Sequence, residues 1–349
     1  MDTFEFNYKT TLPKEANAPS VIIRGDGDNE YDVLFHIVKL NELQTIGRFK
    51  CKTNQILYSG LNQWYSNWYI EVKLNGELVA SDTFNPTGKV VFIKMDGHAL
   101  GDNIAWIPYV EEFRKKHNCT VVCSTFHNSL FKDIYKDILF VAPNTNIENV
   151  YAQYYVGASY DGDPRYSPVF VNEIPLQFVS PSILYLPLDE IRPPIDKQLV
   201  KLNYEKKYIC LSEHASDAKK GWSFENGWQI IVDFVKSLGY EVVVISKEPT
   251  ELNGVIDLTG NHSLLDRAQT LHNCEFFIGV STGLSWLAWG SGAHTILVSD
   301  VTPTFHEFKS NVTRISANPD LTSVNYNPVN ITKPETVIES IKKYLESIN

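Results

Sequence analysis

A short apolar run, Glu275-Phe276-Phe277-Ile278-Gly279-Val280, breaks into Ser281-Thr282-Gly283 and reopens as Leu284-Ser285-Trp286-Leu287-Ala288-Trp289. The run has the length of a buried strand, and the segment after it has helical character. Such a strand–turn–helix leaves unpaired N–H groups and the positive end of a helix dipole at Ser281, Thr282, Gly283 and Leu284. That is a seat for an anion, most often a phosphate, and small residues let it approach the backbone closely. An ordinary strand-to-helix turn has the same pattern, so other residues must decide. Asp102, in Leu100-Gly101-Asp102-Asn103, follows the apolar strand Val90-Val91-Phe92-Ile93. Gly101 permits a tight turn there, and Asp102 offers a carboxylate that accepts a proton or else caps the next helix. Lys219-Lys220-Gly221-Trp222 lies on a corresponding loop, where a lysine neutralises a diphosphate as a compact charge or is simply solvated. Glu248, in Ser246-Lys247-Glu248-Pro249, binds a ribose hydroxyl or serves as a first-turn carboxylate.

Competing chemistries are weaker. Asp26-Gly27-Asp28 and Asp161-Gly162-Asp163 pair carboxylates as hard cations require, but each encloses a glycine in turn-like surroundings. Gly279-Val280-Ser281-Thr282-Gly283 matches a nucleophile elbow by letter, and Asp300 and His306 follow in hydrolase order. Those two crowd into seven residues of chain, so the hydrolase reading ranks low.

The elements that must position these groups divide the chain into three. Residues 1–88 alternate β-branched and aromatic residues between turn signals, among them Leu74-Asn75-Gly76-Glu77, and predict a small all-β module. The aromatic stretch from Tyr58 to Tyr69 is either its core or an interaction face. From Lys89 strands alternate with helices, giving an α/β Rossmann-like domain over 89–195 with a helix from about Ala105 to Lys116. The Pro-rich Glu190-Ile191-Arg192-Pro193-Pro194-Ile195 reads as a linker. A second Rossmann-like domain follows over 196–349, with strands at 208–211, 241–245, 276–278 and 295–298, and a terminal helix opened by Thr332-Lys333-Pro334-Glu335. Two such halves clasp a ligand in the cleft between them.

Composition sets bounds. With 349 residues, 43% of them hydrophobic and 21% charged, the chain is globular in balance and long enough for several domains. A formal charge of −10 argues against a nucleic-acid binder with a broad basic face. No apolar run reaches the roughly 20 residues of a membrane span, and Met1-Asp2-Thr3-Phe4-Glu5-Phe6-Asn7 carries no secretory signal. Cys119 and Cys123 share a strand, so their Cα atoms stand roughly 13 Å apart, past the roughly 7 Å limit of a disulfide. Five scattered cysteines fit reduced, buried thiols in a cytoplasmic protein.

The order of these motifs resembles the heptosyltransferase group of GT-B glycosyltransferases, and more closely the bacterial autotransporter heptosyltransferases. The resemblance runs over nearly the whole chain: the β-rich start, Leu100-Gly101-Asp102-Asn103-Ile104-Ala105-Trp106-Ile107-Pro108-Tyr109, Glu173-Ile174-Pro175-Leu176-Gln177, Lys220-Gly221-Trp222, Ile245-Ser246-Lys247-Glu248-Pro249 and Gly283-Leu284-Ser285-Trp286-Leu287-Ala288-Trp289. It implies an inverting transfer of heptose from ADP-heptose to serine hydroxyls of a protein acceptor. It implies Asp102 as general base, Lys220 as a donor-phosphate ligand and the Ser281–Leu284 turn as the seat of the diphosphate. Gly101, Trp222 and Glu248 are expected beside them as substrate- or donor-binding residues. Close relatives carry a C-terminal cysteine cluster that binds structural iron. Here the matching segment is Ser316-Ala317-Asn318-Pro319-Asp320-Leu321-Thr322-Ser323-Val324, with no cysteine after Cys274. The expectation is therefore no metal and no cofactor beyond the nucleotide-sugar substrate, with the β-module as a surface for homo-oligomers. The alternatives are a GT-B transferase using another nucleotide sugar on a glycan or small molecule, and a non-catalytic binding or assembly protein.

Overall fold

The computed structural model describes residues 1–8, 19–39, 42–60, 67–158, 167–325 and 331–348. The first seven strands, β1 (Thr3–Asn7), β2 (Ser20–Arg24), β3 (Glu30–Lys39), β4 (Glu42–Lys52), β5 (Ile56–Tyr58), β6 (Trp68–Leu74) and β7 (Glu77–Thr83), form two antiparallel sheets. Their orders are β1-β2-β5 and β4-β3-β6-β7. The β6–β7 turn uses Asn75 and Gly76 at φ of 52° and 87°, the left-handed pair that Asn-Gly adopts at little cost. Trp68 is buried and meets Phe35 edge-on at 6.4 Å, so this end of the aromatic stretch is core. Tyr58 is exposed, and residues 61–66 lie outside the described residues. Asp26-Gly27-Asp28 forms an exposed bend between β2 and β3. Asp161-Gly162-Asp163 lies outside the described residues.

A parallel sheet follows, built from β8 (Val90–Met95), β9 (Thr120–Thr125), β10 (Ile138–Val141) and β11 (Ala152–Tyr155) in the order β10-β9-β8-β11. Helix α1 (Leu100–His117) crosses from β8 to β9, and the short α2 (Asn128–Phe131) and α3 (Val179–Leu184) complete this half. The second half has six parallel strands: β12 (Tyr208–Ser212), β13 (Glu241–Val244), β14 (Ile256–Asp257), β15 (Phe277–Gly279), β16 (Thr295–Val298) and β17 (Val312–Ile315). They lie in the order β14-β13-β12-β15-β16-β17. Helices α4 (Gly227–Ser237), α5 (Leu264–Asn273), α6 (Gly283–Gly290) and α7 (Pro334–Ile348) connect and close this half. Every residue of β12 and β16 is buried, as near-continuous apolar strands in a two-sided parallel sheet must be.

Strand order reverses between β8 and β11 in the first parallel sheet, and between β12 and β15 in the second. Loops leaving the carboxyl ends of strands at such reversals frame the ligand crevice of doubly wound folds. The linker is tied to the second half at both ends. The Glu190 carboxylate accepts the Lys309 and Ser310 amides, the latter at 2.9 Å. The Arg192 guanidinium donates to the Gly290 carbonyl at 3.0 Å, at the negative end of α6. All five cysteines are free and buried.

Candidate functional site

The loops after β8, β12 and β15 converge on one cleft of about 740 Å³ between the two parallel sheets. Its walls carry Gly101, Asp102, Lys220, Glu248, Ser281, Thr282, Gly283 and Leu284. Eight of the nine residues singled out in the sequence thus face the same space.

Trp222 is the exception. It is buried, its indole N–H donates to the Thr332 carbonyl at 2.7 Å, and it meets Trp228 edge-on at 4.8 Å. The expectation of a donor contact is corrected: Trp222 belongs to the core of the second half, and it does not line the cleft.

Asp102 reaches the cleft from the first turn of α1, and that helix starts earlier than its composition suggests. Its N-cap is Ala99, with no side-chain cap, so the capping reading of Asp102 falls away. The fully buried Asn103 fixes this start: its amide donates to the Gly97 and Ala99 carbonyls, both at 2.9 Å, and its oxygen accepts from Thr125 Oγ1 at 2.6 Å. Trp106 and Tyr109 on the same helix hold residues 176–189, donating to the Leu176 carbonyl at 2.8 Å and the Asp189 carbonyl at 2.6 Å.

The N-termini of α1 and α6 meet through glycine. A Cβ on Gly101 would lie 2.8 Å from Trp286 Cδ1, and one on Gly283 would lie 2.8 Å from Leu100 Cβ. The two helices approach this closely only because neither glycine has a side chain. The first turn of α6 is further set by Ser285, whose hydroxyl accepts the Thr282 amide at 3.2 Å and donates to the Thr282 carbonyl at 2.6 Å.

Beneath the Ser281 turn lies a charged network that the sequence did not announce. Ser281 Oγ donates to the buried Glu307 carboxylate, which also pairs with Arg314. Arg314 donates further to the Thr302 carbonyl at 2.7 Å and hydroxyl at 2.6 Å. Burial raises the Glu307 carboxyl, but Arg314, His306 and the Ser281 and Thr302 hydroxyls outweigh it and hold it below its ordinary value. The serine hydroxyl is therefore committed to a carboxylate. Asp300 accepts the Thr332 amide at 2.8 Å and the Thr332 hydroxyl at 2.7 Å, so no hydrolase triad assembles. On the Glu248 side of the cleft, buried Arg267 bridges the Ser246 and Gly260 carbonyls, at 3.2 and 2.5 Å. It thereby ties together two loops that line the cleft beside Glu248.

A carboxylate, a lysine and a helix N-terminus are gathered at two strand-order reversals, a constitution that many activities share. Sequence relatives decide the family. Aah of Escherichia coli, an autotransporter heptosyltransferase, is 30% identical over 315 residues, covering 82% of this chain and 79% of its own. The chain belongs to the autotransporter heptosyltransferase family. Its chemistry is glycosyl transfer. No family model matches the chain. A solved structure of TibC from enterotoxigenic E. coli, an iron-containing dodecameric glycosyltransferase, superposes with a TM-score of 0.84 at 20% identity, over 99% of this chain and 97% of that one. This confirms the GT-B arrangement of two Rossmann-like halves behind a β-rich N-terminal region. BimC of Burkholderia thailandensis, named an inactive autotransporter heptosyltransferase, is 28% identical over 252 residues, covering 68% of this chain and 59% of its own.

The expectation of no metal or other cofactor is corrected by the TibC structures, which contain iron. That expectation rested on missing thiolates between Ser316 and Val324, whereas imidazole and carboxylate also ligate iron. Among the described residues no group of three or more His, Cys, Asp or Glu side chains is arranged to hold a metal ion. No chemical step is assigned to a metal. Among the described residues no helix is long and apolar enough to cross a membrane.

Proposed function

We propose that this family member transfers heptose from ADP-heptose to serine hydroxyls of a protein acceptor, with inversion at the anomeric carbon. The observation that carries the reading is the convergence of Asp102, Lys220 and the α6 N-terminus on one cleft. Its support from relatives is the ADP-D-β-D-heptose complex of TibC, whose structure superposes with a TM-score of 0.83 at 20% identity, over 100% of this chain and 96% of that one.

In this reading Asp102 removes the acceptor hydroxyl proton as the new glycosidic bond forms. The sugar passes through an oxocarbenium-like state, as in glycoside hydrolysis. The departing nucleoside diphosphate gathers negative charge as the old bond breaks. Lys220 and the amides of the Ser281–Leu284 turn offset that charge more strongly in the transition state than before it. Glu248 takes the ribose hydroxyls, and Gly101 keeps α1 against α6 so that base and diphosphate seat share one space. The acceptor enters beside the first Rossmann-like half (89–195), the donor binds the second (196–349), and the β-module (1–88) supports self-association. The protein acts in the cytoplasm, where nucleotide sugars are found.

The test is thermal stability with ADP, UDP, GDP and CDP, followed by transfer assays. A ligand at about 100 times its Kd adds roughly 2.7 kcal/mol of stability. Stabilisation by ADP alone, lost in Lys220→Ala, supports the ADP-sugar cleft. A preference for UDP or GDP replaces the donor, and no response to any nucleotide favours a binding or assembly protein. For the base, Asp102→Asn should lower the rate on the order of 10²–10⁴-fold while ADP still binds. Full activity in that variant would remove Asp102 from the role.

A further inference from the structure

His306 lines the cleft with Lys220 and Ser281 but takes no part in the chemistry above. It sits where the two halves touch, its backbone carbonyl accepting the Leu176 amide at 2.8 Å. The side chain is buried, and Nδ1 has no hydrogen-bond partner. Its charged surroundings come from three elements: Glu307 on its own loop, Lys220 on the loop after β12, and Arg314 on β17. Glu307 is already engaged by Ser281 and Arg314.

We propose that His306 takes up a proton when a nucleotide diphosphate occupies the cleft and returns it to solvent when the nucleoside diphosphate leaves. The proposal rests on the diphosphate reading of this cleft. In the free protein burial pulls the imidazole below its ordinary value, Lys220 and Arg314 push the same way, and Glu307 and the Ile174 carbonyl oppose them. The ring is therefore neutral at pH 7. A bound diphosphate changes two of these influences together. It brings negative charge into a partly dewatered space, and it neutralises the Lys220 ammonium that opposed protonation. The proton comes from solvent and no donor bond breaks in the step. The result is a second positive charge beside the leaving group, present only while that group is bound.

The sign of the linkage is fixed. Binding raises the pKa of the ring, so affinity is highest at low pH and falls as pH rises through the bound-state value, by up to about tenfold per unit. ADP-glucose is the probe, because its diphosphate diester does not itself titrate near neutrality. Calorimetry at pH 7 in PIPES and in Tris, buffers of different ionisation enthalpy, reads the protons exchanged. Wild type should take up on the order of half a proton or more, whereas His306→Gln and His306→Asn should take up almost none and show a flat affinity profile. No uptake in wild type, or undiminished uptake in the variants, overturns the proposal. Should both variants unfold, NMR of imidazole-¹⁵N-labelled wild type supplies the readout. Four other histidines (His98, His127, His214 and His262) line the cleft, so their signals are first assigned by single substitution. The His306 ring should become protonated on adding ADP-glucose, and its staying neutral overturns the proposal. Failure of both ADP and ADP-glucose to bind wild type instead overturns the diphosphate reading beneath it.

Discussion

Replacing Gly283 by alanine tests whether close approach of two helix N-termini builds the cleft. The new Cβ would stand 2.8 Å from Leu100 Cβ, 3.3 Å from Leu100 Cδ2 and 3.3 Å from the Gly101 amide nitrogen. Carbon atoms rest at about 3.5–4.0 Å, so α6 and α1 must separate by roughly 0.7–1.2 Å at this point. Neither helix is free to move. Trp289 stacks on Phe308 at 4.8 Å behind α6, and Trp286 meets Phe308 edge-on at 5.1 Å. Trp106 and Tyr109 pin α1 through their hydrogen bonds. Overpacking of this kind costs about 1–3 kcal/mol, which lowers Tm by roughly 2–12 °C at 2–4 °C per kcal/mol.

On the proposed reading the functional loss should exceed the loss of stability, because the strain falls on the amides proposed to hold the diphosphate. A displacement of about 1 Å at such a site costs up to roughly 10²-fold, so calorimetric ADP affinity should fall at least tenfold. Gly101→Ala drives a Cβ against Trp286 Cδ1 at the same 2.8 Å and should behave alike. Because both variants force one separation, the double variant should be less destabilised than the sum, with a coupling of about 0.5 kcal/mol or more. If Gly283→Ala left stability within about 0.5 kcal/mol and ADP affinity within a factor of two, the helix contact would not shape the site.

Trp222→Phe removes the indole donor to Thr332 and should cost about 1–3 kcal/mol in chemical denaturation, the penalty of an unsatisfied buried carbonyl, while ADP affinity stays unchanged; a selective loss of affinity would return Trp222 to the cleft. Arg314→Met leaves Glu307 buried without its partner and should cost about 3–5 kcal/mol at pH 7. The Glu307 carboxyl lies below its ordinary value in the folded protein, so its contribution in wild type is present at neutral pH and lost as pH falls through the folded value. In Arg314→Met the carboxyl rises instead, and the gap between variant and wild type should narrow from pH 7 to pH 5 in urea titrations. Asn103→Ala removes the side-chain donor to the Gly97 and Ala99 carbonyls and the acceptor of Thr125 Oγ1. On the proposed reading it should lower the transfer rate more than ADP affinity, since it disturbs the wall that carries Asp102.

What could be read in the sequence was what depends on neighbours along the chain. Apolar runs such as Val90–Ile93 and Glu241–Ile245 became β8 and β13, and the Asn75-Gly76 turn closed its hairpin because two adjacent residues tolerate positive φ. The strand–turn–helix at Ser281–Leu284 was legible for the same reason: β15 and α6 are consecutive, and the turn between them opens on the cleft. The start of α1 was not legible, because no capping residue marks Ala99 and the bonds that hold it come from Asn103, inside the helix. Trp222 was misjudged by adjacency to Lys220. Two residues of chain are enough to turn a side chain from the cleft into the core, and its partner Thr332 is 110 residues away.

Glu307 and Arg314 show the deeper limit. Seven residues separate them, but no periodic pattern marks the pair, because Arg314 lies on β17, which returns to the sheet beside β16. Ser281 is bound to the same carboxylate across 26 residues. The hydroxyl that resembled a nucleophile by its letters is thus a donor to a buried anion, and Arg314 is the largest of the groups that offset its burial. A diphosphate bound as proposed would lie above a carboxylate whose charge is already paired with Arg314. On that reading the Ser281–Leu284 amides, Lys220 and His306 answer the charge of the ligand.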